Sequence, residues 1–586
     1  MNNLESPKEF RLKDGSKIMN YIKRFSATEK TIFAIFVILA CFSALAMAGM
    51  VSDLFSVQIP KNGGSFREGV IGLPHNINPV LATTEADRDI SNLVYSGLMK
   101  YQDGNLEKDI AESYSISEDG LSYIFTLKPD IHFHDGTSIT AEDVAFTIQK
   151  IQNSAIKSPR RADWNDISIE IISSREIKFT LKQPYRPFIY NTTVGIIPKH
   201  IWNNLSDDQF IFSQYNIEPI GSGPYKYKSI TKNAEGIPEE YNLTANNKYY
   251  GKRAYIDNIT FVFFSDYEKA ILALEKGTID SLASVSASDA KKLSDNLKEG
   301  YSIISTPLPR IFGLFFNQNN NEVLADKYVR QALNVAVDRE NIIKEVLNGF
   351  GTSIHGPFPF DKEEEKSVFN IKADIQTAEA ILNKGGWTKN PNTGIFEKKG
   401  PKNTIQILSL SIYTADTPDL KQTAEMVKDA WTTLGVKVTV KIFDSSELYQ
   451  NIIRPRKYDV LLFGQLIGKD RDVYAFWHSS QRNTPGLNVA MYANSNADQI
   501  IEAIRRDDVD NTKKGNYTEL SNIIKNDVPA VFLYSPDFIY ISKTNLKNTK
   551  NGGFEIKNIT IPSDRFNSIN NWYIQTEKVW KIFANN

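Results

Sequence analysis

Cysteine is nearly absent from this chain. Its one cysteine in 586 residues, Cys41, excludes an intrachain disulfide and any cysteine-based metal cluster. Histidine is scarce too, at six residues. No His-Glu-x-x-His, Gly-x-Ser-x-Gly or Cys-His arrangement occurs, so hydrolase chemistry has no visible carrier. Neither sign of charge dominates: Lys and Arg number 68 against 69 Asp and Glu, a formal net charge of -1, so no global field draws the protein to nucleic acid or to an anionic membrane surface. Internal repeats and low-complexity tracts are missing, and long apolar runs are confined to one place near the N-terminus.

What is present suits a large folded body. The chain is 41% hydrophobic, with 33 Phe, 26 Tyr and 7 Trp, which is ample material for cores and argues against disorder. Its length exceeds one domain of roughly 100 to 200 residues, so two or three lobes with separate cores are expected.

The apolar run decides the compartment. From Thr31 to Ser52 there are 22 positions without charge; as a helix they reach roughly 33 Å, enough to cross a bilayer. Lys8, Arg11, Lys13, Lys17, Lys23, Arg24 and Lys30 precede it and few basic residues follow closely. The positive-inside rule therefore places residues 1–30 in the cytoplasm and the chain beyond about Asp53 outside. Three fates of the segment stay open: a retained anchor, cleavage after Ala46-Met47-Ala48, or lipidation at Cys41.

Ser56 to Asn62 reads as a short polar linker, after which strands and helices alternate to the C-terminus. Alternation in residues 122–127 and 176–181 predicts strands with one buried face. Thr140-Ala141-Glu142-Asp143 is a capping-box pattern opening a helix through Lys150. Val329, Ala332, Leu333, Ala336 and Val337 fall at helical spacing, and Asp338 caps a second helix ended near Gly349. A strand at Thr404 to Tyr413, a helix from about Asp419 to Leu434 stopped by Gly435, and a strand over 436–442 make a β-α-β unit. A helix near 445–453 then precedes an apolar strand, Tyr458 to Phe463, which is expected to break at Gly464 into a loop reaching Asp472. In open α/β sheets ligands sit beyond such strand ends.

An ordered set of segments resembles the family 5 extracellular solute-binding proteins, the receptors of oligopeptide, dipeptide and nickel ABC importers: GGSF at 63, NINP at 76, GLMKYQDG at 97, the run from AESYSISEDG at 111 to AEDVAFT, GSGPYKY at 221, EKGTID at 275, VRQALNVAVDRENI at 329 and YDVLLFG at 458. The resemblance covers roughly Lys61 to Trp580. It implies an α/β, two-lobed type II periplasmic-binding-protein clamshell with an inserted β-rich domain, preceded by one transmembrane helix. The expected division is a cytoplasmic segment 1–30, an anchor or signal segment 31–52, a first lobe in three pieces (61–98, 206–308 and 542–586), the inserted domain 99–205 and a second lobe 309–541. The implied function is capture of short peptides by backbone pairing between closing lobes, without a cofactor and without catalysis, by a monomer that serves a membrane permease and its ATPase. Nickel, a sugar or a haem-like solute are alternatives within this class; a surface metallohydrolase is the alternative outside it.

Asp470 and Asp472, on the strand-end loop, are candidates to meet a peptide α-amine. Gly464 and Gln465 at the strand end, with Trp477 and Phe312 as aromatic walls, complete the candidate ligand contacts. Against this stand blander readings: a solvated acidic loop neutralised by Arg471, a helix cap at Asp470, and core positions for the aromatics. The loop departs from many relatives, which carry Trp where Gln465 stands and Pro where Arg471 stands. His132 and His134 beside Asp135 look like a metal cluster, but no third ligand at suitable spacing joins them. Gly221-Ser222-Gly223-Pro224 lacks the Lys and Ser/Thr of a phosphate-binding loop and reads as a turn before a strand. Residues 361–366 read as a solvated charged loop.

Overall fold

The computed structural model describes residues 25–296, 299–359, 373–400, 404–506, 510–549 and 553–584. The segments 1–24 and 361–366 discussed above lie outside them. The chain forms two compact units, a small one of Met1–Lys61 with Gln575–Asn586 and a large one, Asn62–Ile574.

The small unit is built on a helix, Ala27–Phe55, opened by a capping box in which Ser26 N donates to Glu29 at 2.8 Å. Its stretch Ala27–Met47 has a mean hydropathy of 2.2, with none of it buried by protein. A strand, Ser56–Lys61, follows at once and pairs antiparallel with Gln575–Trp580, so that Ser56 faces Trp580. The expected polar linker over 56–62 is thus a strand. Its pairing partner lies over five hundred residues away, where no local pattern points to it.

In the large unit, a 12-stranded sheet runs through both lobes. On the first-lobe side, Ser65–Ile71 lies parallel to Asn258–Phe264 and to Ser281–Ala283, with the hairpin strands Tyr225–Lys232 and Pro238–Ala245 beyond. On the second-lobe side, Ser409–Ala415 lies parallel to Lys437–Phe443 and Val460–Leu466. The helix between the first two, Pro418–Leu434, ends at Gly435, whose φ of 107° suits glycine. The predicted β-α-β unit is therefore present, although its first strand is broken into Ile405–Ile407 and Ser409–Ala415. The predicted helix near 445–453 winds as a π-helix from Leu448 to Ile453.

Two stretches of chain join the halves. The 14-residue strand Ala530–Lys543 pairs by its first part with Arg310–Phe316 of the second lobe and by its last part with Tyr301–Pro307 and Ser281–Ala283 of the first. The other crossing is Tyr301–Pro307 running into Arg310–Phe316. Both pass through proline at the joint, Pro307 with Pro309 and Pro536, and Leu308 N donates to Pro536 O at 3.2 Å. Proline fixes φ and removes a donor; the long strand's pairing with Tyr301–Pro307 stops at Pro307 opposite Asp537 and passes to Arg310–Phe316 at Phe312 opposite Tyr534, while Pro536 lies opposite Gly351.

The inserted domain is a four-stranded antiparallel sheet made of Ala111–Ile116, Ser122–Leu127, Glu176–Thr180 and Ser168–Ser173. Tyr123, Phe125, Ile177 and Phe179 face inward against Trp164 and Phe188, as the two-residue alternation predicts. The helix predicted from the capping box is Ala141–Gln152, with Thr140 N donating to Asp143 at 2.9 Å.

Gly221 and Gly223 stand just before the strand Tyr225–Lys232, as read from the sequence, and have a further packing reason. A Cβ there would lie 2.1 Å from Val94 O and 2.4 Å from Leu93 O, so glycine is what lets this segment lie against the end of the helix Glu85–Val94. His134 is tied into the same contact, with Nε2 3.1 Å from Gly223 O and Nδ1 accepting from Gly221 N. His132 turns instead to Asp130 O. Among the described residues no three His, Cys, Asp or Glu side chains converge on a metal-sized space.

Candidate ligand cleft

The second-lobe strand Val460–Leu466 carries the chain to the cleft. It does not break at Gly464 as expected. It passes through, because Gly464 faces Phe312 across the ladder and a Cβ there would lie 2.9 Å from the Phe312 ring. The loop begins at Ile467, whose N donates to Pro309 O at 2.8 Å and so pins the loop to one joint between the lobes. At its apex Arg471 has φ 54°. Proline, locked near −65°, cannot take that conformation, which accounts for the non-proline residue between the two aspartates.

Loop 468–472 meets the first lobe and the inserted domain. Lys469 Nζ donates to Asp564 Oδ1 at 2.6 Å and lies 4.8 Å from the Tyr101 ring centre. Asp564 is buried, and its other oxygen accepts from Thr560 N and Ile561 N. Tyr185 of the inserted domain donates to Asp470 Oδ2 at 3.3 Å. Arg186 N donates to Arg505 O at 2.9 Å, and the Arg505 guanidinium lies between the rings of Tyr185 and Tyr474 at 4.7 and 4.3 Å. The lobes are in contact across the cleft.

The two aspartates have different tasks. Asp472 accepts from Tyr474 N at 3.0 Å and pairs with Arg505 at 3.1 Å, so its charge is compensated within the protein. Asp470 accepts from Tyr185 and from Asp472 N, with no cation within ion-pair distance among the described residues. Burial pushes its carboxyl up to about 6, with the neighbouring Asp472 charge adding to the rise. Of the other sequence candidates, Phe312 stacks on Tyr534 at 5.3 Å within the second lobe. Trp477 is fully enclosed by Phe315, Tyr492 and Phe532. Gln465 is buried with both amide atoms unpartnered. None of these three lines the spaces around the loop, whereas Asp470 does.

Those spaces share Tyr101 and Lys469. One of about 820 Å³ lies between the loop, Arg186, Tyr190 and the inserted-domain strand around Tyr114, with Asp470 in its wall. Another of about 420 Å³ runs from Lys469 to Pro307 and Pro309 at the joint. These volumes are of the size that holds small ligands. A third space, on the first-lobe side, is lined by Arg88, Lys100, Arg160 and Lys469 against two acids, Asp109 and Asp564. Asp564 is taken by Lys469, and Asp109 accepts from Tyr250 at 2.6 Å while burial raises its carboxyl above the usual range. Among the described residues, no acceptor is in hydrogen-bond or ion-pair contact with the side chains of Arg88, Lys100 or Arg160. Burial lowers the Arg160 guanidinium from its ordinary value, and Asp163 and Asp564 offset this only from a distance. With four cations against two acids, this corner carries an excess of positive charge.

Sequence reasoning missed Tyr101, Arg160 and Lys469. Lys469 adjoined a residue already chosen, and a cation beside an acid at a strand end was the available signal. Arg160 stands just before the short helix Arg161–Trp164 and carried none.

Residues 105–486 match the profile described as Bacterial extracellular solute-binding proteins, family 5 Middle. The chain belongs to this family. It is 30% identical over 507 residues to the oligopeptide-binding protein AppA of Bacillus subtilis, covering 84% of this chain and 90% of AppA. The structure of AppA from Bacillus subtilis in complex with a nonapeptide superposes with a TM-score of 0.63 at 28% identity, over 88% of this chain and all of that one. NikZ from Campylobacter jejuni in complex with Ni(L-His) gives 0.65 at 27% identity over the same shares. The clamshell is thus the type II periplasmic-binding-protein fold.

Proposed function

We propose that this family member is a membrane-tethered extracytoplasmic receptor of an ABC importer that takes a short peptide between its lobes and delivers it to a permease. It is read as a binding protein and not as an enzyme, working as a monomer. The observation that carries the peptide reading is a set of charges of opposite sign, lining the spaces between the lobes, that form no ion pair. Among the described residues Asp470 offers a carboxylate with no cation in ion-pair contact, and Arg88, Lys100 and Arg160 offer cations with no acid in such contact. A peptide with free ends carries the complement of both. Half-buried charges such as Asp470 and Arg160, enclosed on closure around a ligand, are worth more to it than an exposed pair's 0 to 1 kcal/mol. The similarity to an oligopeptide-binding protein supports the same reading.

The similarity to NikZ favours a second reading, a nickel chelate whose own carboxylates face the cationic corner. Calorimetry on the full-length protein in detergent separates the two, using one peptide with free ends, its N-acetylated form and its C-amidated form. The peptide reading expects binding of the first and weaker binding of both others. Ligand at 100-fold over Kd also adds about 2.7 kcal/mol of stability. A peptide library without effect, beside a response to nickel-histidine, would sink it and leave the family assignment untouched.

A further inference from the structure

Six of the seven tryptophans are enclosed in the large unit; the seventh, Trp580, is 50% exposed. It does not stand alone. Ile582 and Phe583, two and three residues on, are 75% and 65% exposed, with Lys581 between. An exposed Trp-Lys-Ile-Phe run is out of place on a surface facing water.

The strand register says where this run lies. Ser56–Lys61 leads away from the apolar helix, and Gln575–Trp580 returns antiparallel beside it. Ser56 is the first residue after the helix and faces Trp580, and Lys578 Nζ donates to Asp53 in the last turn of the helix at 2.7 Å. The returning strand therefore reaches Trp580 at the level where the helix ends, and the last two helix residues, Leu54 and Phe55, are themselves 69% and 58% exposed. Where the uncharged stretch ends at Ser52, a spanning helix emerges from the hydrocarbon into the headgroup layer. Trp is enriched at that level because its ring is apolar and its N–H seeks a polar partner, and lysine there reaches toward phosphates.

We propose that residues 580–583 are a second membrane contact, in which Trp580, Ile582 and Phe583 rest at the headgroup-to-acyl boundary of the outer leaflet beside the emerging helix. The ribbon Ser56–Lys61 with Gln575–Trp580 is then a stalk of about 20 Å, held at its base by the helix through one strand and by the interfacial side chains through the other. The large unit is leashed to it by two covalent connections, at Lys61 and at Gln575, and not by a single flexible tether. The inference rests on the reading of the helix as a retained anchor.

Full-length protein is reconstituted into phosphatidylcholine vesicles with or without brominated acyl chains, and tryptophan emission is compared for the wild type and Trp580→Phe. Because the other six indoles are enclosed in the large unit, the expected result is a loss of emission in brominated lipid that Trp580→Phe abolishes. Weak quenching by aqueous iodide should accompany it. Ile582→Ser with Phe583→Ser should reduce the lipid quenching and raise the iodide quenching while the protein still floats with the vesicles. Flotation with Trp580 open to iodide and untouched by bromine would overturn the inference alone. Trp580 shielded from both quenchers would put protein there, a second copy or a membrane partner, and would also overturn it. Failure to float would overturn the anchor reading and this inference with it.

Discussion

Two parts of the large unit gather charge, and they do so in opposite ways. Inside the first lobe, Arg565 is fully enclosed. Its guanidinium donates to Glu68 at 2.9 and 3.2 Å, to Asp89 at 2.5 and 3.0 Å and to Pro562 O at 2.9 Å. The other oxygen of Glu68 accepts from Tyr540 at 2.6 Å and from Ser281. Every donor of the guanidinium is used, and five separate segments are stitched together. At the cleft, among the described residues, Asp470 has no cation and Arg88, Lys100 and Arg160 no acid in ion-pair contact, and Asp109, Asp163 and Asp564 act on Lys100 and Arg160 only from farther off. The first-lobe cluster is enclosed with its hydrogen bonding complete, whereas at the cleft Asp470, Lys100 and Arg160 are half-buried and Arg88 is exposed, with their hydrogen bonding incomplete. A saturated cluster has nothing left to offer a ligand, whereas a charge left open in a cavity is a cost in the empty protein that a ligand of the right sign removes.

The comparison can be broken most strongly at Arg565. Arg565→Met leaves Glu68 and Asp89 buried without a counter-charge and should destabilise the protein by about 3 to 5 kcal/mol, read from chemical denaturation. A loss confined to ligand affinity would show that the cluster is not scaffold. Arg160→Gln should do the reverse. Folding stability should be unchanged or slightly raised, while affinity for a ligand with a free carboxylate falls by roughly 2 to 5 kcal/mol. Calorimetry with the C-amidated form, which should not notice the substitution, is the check. A stability loss as large as that of Arg565→Met would erase the distinction.

The smallest effect sharpens the comparison through pH. With the Asp470 carboxyl pushed up to about 6, the empty protein takes up a proton there as pH falls, and an ammonium group needs the carboxylate. Affinity for a free amine should therefore drop about tenfold between pH 7 and pH 5. Asp470→Asn should bind weakly at both. For the empty fold the sign is opposite. An acid whose carboxyl is raised by folding favours the folded state below its unfolded value near 4, and that contribution is lost as pH rises through about 6. Asp472 and Tyr185 adjoin the group; Asp472→Asn, which removes the charge that adds to the rise and frees Arg505, should move the pH dependence of amine binding to lower pH.

The sequence by itself determined the elements whose signals are local. The apolar helix, the inward alternation at Tyr123 and Phe125, the helix stopped by Gly435 and the β-α-β unit around it follow from periodicity and from the conformations that single residues allow. It also placed Asp470 on the loop after the right strand. Local pattern misled where a residue's reason lay elsewhere in space. Gly464 read as a strand end because the ring of Phe312 across the ladder was invisible, and Trp477 read as a wall of the cleft although it sits in the core. Only the tertiary structure decided which charges are paired. Asp472 and Asp470 look alike in sequence, and it is Arg505, over thirty residues on, that neutralises one and leaves the other open. Arg160 and Asp470 are brought to the walls of one cleft by the packing of three bodies, and Ser56 finds Trp580 across the full length of the large unit. Electrostatic compensation and strand pairing depend on distance in space, which a one-dimensional pattern does not carry.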